Sequence, residues 1–159
     1  MLTTTEPQFR MARRRGCAVA AFNIFNLESA QAVVWAAEKC NAPVIIQVNS
    51  GAASHGGWET LAGIALTLAA RSSVRVSLHL DHGKDLETVK RALGLGFTSI
   101  MFDGSSCAFA ENVRITRKVM GMCLRRGVPV EAELGEIGGV EDDVEGDPDA
   151  GCTDVEAAL

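Results

Sequence analysis

The residues best suited to chemistry fall in two short runs, Ser77-Leu78-His79-Leu80-Asp81-His82-Gly83 and Val130-Glu131-Ala132-Glu133-Leu134-Gly135. In an extended strand His79 and Asp81 point to one face, because side chains alternate. His82 would point away if the strand ran on. Gly83 marks a strand end, which lets His82 turn toward the same side. An imidazole beside a carboxylate is a common beginning of a zinc site. A lone histidine is more often structural; two histidines flanking an aspartate at a strand end are harder to assign that way. In the second run Glu131 and Glu133 face together on an otherwise apolar strand. Burying carboxylates is costly unless a cation or hydrogen bonds offset it. The plain alternative is that they reach solvent at a rim.

Other polar groups are weaker signals. Asn23, Asn49 and Asp103 with Gly104 could each be turn residues that bond their own backbone. Glu141-Asp142-Asp143 reads as a solvated charge run, and Gly138-Gly139 could let that loop flex over a site. Ser50-Gly51-Ala52-Ala53 is too generic to be a phosphate cradle by itself.

The elements that must position these groups alternate regularly. The sequence predicts a lead-in helix over 5–15, with Thr5 as cap and Pro7 in its first turn. Strands follow at 18–23, 43–49, 74–81, 99–103 and 128–134. Helices are expected at 27–39, 58–71, 85–95 (capped by Asp85), 109–126 (ending at Gly127) and 154–159. Residues 51–57 read as a loop, and 135–151 as a second loop rich in Gly, Asp and Glu. Strands alternating with helices imply a parallel sheet with right-handed crossovers. No GxGxxG follows the first strand, and no Walker loop appears.

The strand faces separate an open doubly wound sheet from a barrel. Val74, Val76, Leu78 and Leu80 share one face, and Arg75, Ser77, His79 and Asp81 the other. Val44, Ile46 and Val48 oppose Ile45, Gln47 and Asn49. Helices on both sides would demand apolar residues throughout. One face turning polar toward the strand C-termini fits a (β/α)8 TIM barrel with a polar mouth. Asn23, Asn49, Asp81 with His82, Asp103 and Glu133 would then share that rim. Eight βα units usually need ~250 residues. The 159 residues are expected to form a single incomplete barrel domain: βα units over 18–126, a fifth strand, and open edges at the first and fifth strands.

Composition excludes several classes. With 15 basic and 20 acidic residues and a net charge of −5, a nucleic-acid role is disfavoured. Arg13-Arg14-Arg15 suits a helix end. Five scattered cysteines without a CxxC pair read as reduced cytoplasmic thiols. Residues 1–15 lack the apolar stretch of a signal peptide, and no run approaches the ~20 apolar residues of a membrane helix.

Taken together, the two runs resemble the paired motifs of class II, zinc-dependent fructose- or tagatose-bisphosphate aldolases. The second continues through Glu136-Ile137-Gly138-Gly139-Val140-Glu141, and Ala21-Phe22-Asn23 and Ala42-Pro43-Val44-Ile45-Ile46-Gln47 are similar to the family's opening strands. The likeness spans about residues 16–143. It implies a TIM barrel and reversible cleavage of a ketose bisphosphate to dihydroxyacetone phosphate and glyceraldehyde 3-phosphate. It implies His82 as the first zinc ligand and Asp103 and Glu133 at a second or alternative metal position. Asp81 would take the proton from the C4 hydroxyl, and Glu141 would move a proton at the dihydroxyacetone phosphate carbon. Asn23 would contact substrate, as would Asn49 and Ser50, although Asn49 departs from the family pattern by standing where a small hydroxyl residue is expected, with Ser50 next to it. No lysine Schiff base is implied. The family's other two zinc histidines lie further along the chain, whereas the histidines here are His55, His79 and His82. The 159 residues alone are therefore expected to be inactive. A non-catalytic half-barrel that pairs with a second chain is the competing expectation. Family members are usually dimers or tetramers, so a homo-oligomer is implied, and the choice between fructose and tagatose substrates stays open.

Overall fold

A computed structural model describes residues 1–135, 139–141, 144–146, 153 and 155–158. In chain order the elements are α1 (Thr5–Arg15), β1 (Ala20–Asn23), α2 (Leu27–Cys40), β2 (Val44–Val48), α3 (Ser50–Gly56), α4 (Trp58–Arg71), β3 (Val76–Gly83), α5 (Leu86–Gly94), β4 (Ser99–Phe102), α6 (Phe109–Leu124), β5 (Val130–Ala132), β6 (Gly139–Glu141), β7 (Val144–Gly146) and α7 (Val155–Ala158). The first five strands form one parallel sheet in the order β1-β2-β3-β4-β5. A doubly wound sheet reverses its strand order at a switch point. This order never reverses, and each strand pairs with the next in sequence, which is the arrangement of a barrel wall.

Alternation along the strands divides the sheet into two unlike faces. Val44, Ile46, Val48, Val76, Leu78, Leu80, Ile100 and Phe102 form the helix-covered face, each exposed by 2% or less. They join Ala30, Val34, Leu61, Ala65, Val89, Ala92 and Val119 from the helices in a single apolar cluster. Full burial of each large aliphatic contributes roughly 1.5–3 kcal/mol, so this face anchors the sheet. The other face carries Asn23, Gln47, His79 and Ser99 in one paired row. The central strand β3 is buried along nearly its whole length, while β1 and β5 are the exposed outer strands.

Local signals explain most element ends. Asn26 and Ser29 form a reciprocal capping box on α2, and Asp85 accepts from the Thr88 amide at 2.7 Å to cap α5. Such caps satisfy amides that a helix start leaves unpaired.

Several expectations need correction. Residues 51–57 are not a loop: α3 occupies most of them. Asn49 caps it through the Ala52 amide at 2.8 Å, and Ala52 and Ala53 are buried in the core, so capping and burial outweigh the segment's poor helix propensity. Thr5 is not a cap. It is the first helical residue, and its hydroxyl instead donates to Ser99 Oγ at 3.2 Å, tying α1 to β4. The third strand does not stop before His82 but runs through Gly83. The fifth strand is shorter than 128–134 and ends at Ala132. The stretch 135–151 includes an antiparallel pair, β6 with β7. Among the described residues no helix is long and apolar enough to cross a membrane.

Candidate functional site

The site is built on the C-terminal ends of β1, β2, β3 and β4 and the residue that follows β5. Asp81 lies near the end of β3 and is 7% exposed. Its Oδ2 accepts from Asn23 Nδ2 and its Oδ1 from Gln47 Nε2, both at 2.9 Å. Two amides on neighbouring strands thus fix both oxygens of one carboxylate. Asn23 Oδ1 is itself buried and has no hydrogen-bond partner among the described residues.

His82 reaches the site through a break in the ladder. Between Leu80 and Gly83, β3 advances three residues while its partner β4 advances two, from Ile100 to Phe102. The extra residue is a β-bulge, which re-aims a side chain. His82 absorbs the bend with φ 48°, a left-handed conformation that costs a non-glycine residue about 1–3 kcal/mol. Gly83 follows because a Cβ there would lie 2.7 Å from Leu80 Cδ2 and 2.9 Å from the Met101 carbonyl oxygen. The expected turn of His82 toward the rim therefore occurs inside the strand rather than past its end.

The bulge brings His82 Nδ1 to 3.0 Å from Asp103 Oδ2 and 3.5 Å from Glu133 Oε2. One ligand atom from each of these three residues lies within 4.8 Å of the others. The side chains of His82, Asp103 and Glu133 are 17%, 4% and 14% exposed, so the group is sheltered but reachable. Asp103 Oδ1 accepts from the Ser105 amide at 3.0 Å and the Ser105 hydroxyl at 2.6 Å. Its Oδ2 accepts from Lys84 Nζ at 2.9 Å. Burial alone would raise the Asp103 pKa, but the hydrogen bonds from Ser105, Lys84 and His82 outweigh it and hold the carboxyl well below its ordinary range. Asn112 Nδ2 donates to the Glu133 carbonyl at 2.8 Å and so fixes the backbone beyond β5.

Deeper in the same face, His79 Nδ1 and Ser99 Oγ are 2.8 Å apart, and the chain continues to Thr5. Burial, aided by His82 and opposed by Asp81, drives the His79 pKa down to about 4. Burial and the nearby Asp81 raise Glu131, with His82 opposing. The 3.7 Å approach of His79 Nε2 to Glu131 is therefore not an ion pair at neutral pH, since the imidazole is uncharged there.

A neutral buried histidine has a stability consequence. Its folded pKa, about 4, lies below the ordinary 6.5, so the unfolded chain binds more protons between those values. The contribution is fully present above pH 6.5 and is lost as pH falls toward 4, amounting to about 3 kcal/mol at the acid end. Urea unfolding at pH 7 and pH 4.5 should show the loss. An NMR titration placing the His79 midpoint near its ordinary value would contradict it.

The structure brings Asn23, Asp81, His82, Asp103 and Glu133 together. Asn49 is 5% exposed with its Oδ1 accepting from the Ala52 amide of α3, and Ser50 is exposed at the first position of that helix. The backbone of Glu141 lies in β6, but its side chain, with Gly138, Asp142 and Asp143, lies outside the described residues. Sequence reasoning did not single out Gln47, Lys84, Ser105 or Asn112 for the site. Gln47 was detectable as the one polar residue facing inward from β2 beside Asn23 and His79. Lys84 and Ser105 lie in the loops that follow β3 and β4, and Asn112 lies on α6, where strand alternation predicts no direction.

Comparison with known proteins points one way. A family model described as class-II fructose-bisphosphate aldolase matches residues 3–159. Fructose-bisphosphate aldolase from Geobacillus stearothermophilus is 46% identical over 149 residues, covering 92% of this chain and 52% of that protein. A probable fructose-bisphosphate aldolase from Bacillus subtilis is 43% identical over 146 residues, covering 90% and 51%. Among solved structures, a putative fructose-1,6-biphosphate aldolase from Coccidioides immitis superposes with a TM-score of 0.84 at 36% identity, over 95% of this chain and 53% of that one. The YdjI aldolase from Escherichia coli gives 0.82 at 34% identity, over 85% and 51%. The chain spans about half the length of the curated relatives it matches.

Proposed function

Because the chain belongs to the class-II fructose-bisphosphate aldolase family, we propose that His82 is a zinc ligand of a ketose-bisphosphate aldolase and that, with Asp103 and Glu133 at the second or alternative metal position, it holds a divalent cation beside Asp81. The observation that carries this reading is the convergence of one imidazole and two carboxyl groups from three strand ends within 4.8 Å. That donor set suits zinc, which takes nitrogen and oxygen ligands and needs a fourth position filled. When bound, the cation supplies Lewis-acid polarisation of a ketone oxygen and stabilises negative charge developing on it.

The chain's own residues do the rest. Asp81, held by Asn23 and Gln47, is oriented to take the proton from the C4 hydroxyl as the C3–C4 bond of the ketose breaks. The unpartnered Asn23 Oδ1 offers a buried acceptor to a substrate hydroxyl, which would satisfy an atom otherwise costing about 1–3 kcal/mol. Glu141 is proposed to move a proton at the dihydroxyacetone phosphate carbon. Ser50, exposed at the start of α3, remains a candidate substrate contact; Asn49 would act through its cap.

The exposed outer strands β1 and β5 and the half-length match support a site completed by further strands. Residues 1–159 would then be part of one barrel domain and inactive alone. Fructose and tagatose 1,6-bisphosphate are the candidate substrates. The whole protein is proposed to be cytoplasmic and homo-oligomeric. The test is to let residues 1–135 replace the matching segment of the Geobacillus stearothermophilus relative and assay cleavage of both sugars. Chelator-sensitive cleavage by the chimera, with none by the 159-residue chain, is expected. A folded, metal-loaded chimera that cleaves neither sugar would overturn the assignment.

A further inference from the structure

Lys84 follows the strand-end glycine and has no part in the reading above. Its Nζ lies 2.9 Å from Asp103 Oδ2, the same oxygen that is 3.0 Å from His82 Nδ1. Asp103 Oδ1 is turned the other way, onto the amide and hydroxyl of Ser105. The ammonium therefore sits on the same carboxylate oxygen that faces the His82 imidazole. The two partners differ in exposure: the Asp103 side chain is 4% exposed and that of Lys84 is 49% exposed. The carboxylate is fixed in place, while the lysine can leave it for solvent on a flexible stem.

We infer, on the premise that His82, Asp103 and Glu133 form a metal site, that Lys84 is a displaceable counter-cation. It holds Asp103 Oδ2 in place when no metal is bound and must release that oxygen before a divalent cation bonds to it. An ammonium and a divalent cation on one carboxylate oxygen repel each other, and solvent screening reduces the repulsion without removing it. Metal binding therefore includes the cost of detaching Lys84. In return the ammonium offsets the charge of two neighbouring carboxyl groups in the metal-free chain. Lys84 is a positioning residue in this account, acting through Asp103.

The test is Co²⁺ binding to the full 159-residue chain, followed by calorimetry and visible absorption. Lys84→Met should bind Co²⁺ about tenfold more tightly than wild type, with the difference shrinking as NaCl is raised. Its metal-free Tm should fall, and its Tm gain on adding Co²⁺ should exceed that of wild type. Lys84→Arg should resemble wild type, and Lys84→Met should have no effect on affinity in an Asp103→Asn background. Lys84→Gln, which keeps a hydrogen bond without the charge, is the second variant should Lys84→Met not fold. Equal or weaker Co²⁺ binding by the neutral variants, with wild type binding measurably, overturns this inference alone. Failure of every form to bind Co²⁺ overturns the metal-site premise and the inference together.

Discussion

Alanine in place of His82 should lower the chain's affinity for Zn²⁺ or Co²⁺ by more than about 100-fold, beyond the 10–100-fold that loss of an outer-shell partner causes. His82 is the single nitrogen donor of the described cluster. Soft and borderline cations such as zinc and cobalt depend on such a ligand more than magnesium or calcium do. The fold should survive. His82 occupies a left-handed position at which the wild-type side chain already costs energy, and it is not part of the apolar cluster. Circular dichroism and urea unfolding would establish that the variant is folded, and calorimetry would read the affinity. A folded His82→Ala chain that binds zinc as wild type does would remove His82 from the site.

Asparagine at position 81 should separate chemistry from binding. Asp81→Asn is close to isosteric, and its side-chain oxygen can still accept from Asn23 or Gln47, which now donate to the two carboxylate oxygens. It cannot accept a proton. Loss of a positioned general base typically lowers a rate by about 10²–10⁴-fold. In the chimera with the Geobacillus stearothermophilus relative, kcat should fall by that amount while metal affinity stays within a few-fold of wild type. A fall in metal affinity matching the fall in kcat would mean that Asp81 acts on the cation instead. A variant with unchanged kcat would mean that another group takes the proton.

Much of this arrangement was legible in the sequence for a specific physical reason. Period-two alternation assigned His79 and Asp81 to one face and Val76, Leu78 and Leu80 to the other, and the pairing His79 to Ser99 and Leu80 to Ile100 keeps that division across the sheet. The polar inward row is what distinguishes a barrel mouth from a sheet covered on both sides. Alternation fails where the ladder breaks. The bulge at His82 interrupts the ladder between Leu80 and Gly83, and Glu133 and Lys84 lie just past the ends of β5 and β3, so their directions depend on tertiary geometry. Asn49 shows the opposite difficulty. Its place at a strand end put it on the rim and the family resemblance implied a substrate contact, yet the same side chain is a good helix cap, and the buried Ala52 and Ala53 that follow favour the cap. Ser105 and Asn112 gave no pattern at all: Ser105 works through the Asp103 carboxylate two residues before it, and Asn112 through the carbonyl of Glu133 beyond β5.

The central claim is that a divalent cation sits among His82, Asp103 and Glu133. Anomalous diffraction at the zinc edge, from crystals of the chain grown with Zn²⁺, tests it most directly. The account predicts a peak within about 2.0–2.2 Å of a His82 ring nitrogen, with a carboxyl oxygen of Asp103 or Glu133 beside it and Lys84 withdrawn. A zinc-containing crystal with no peak at His82, and Lys84 still on Asp103, would contradict it.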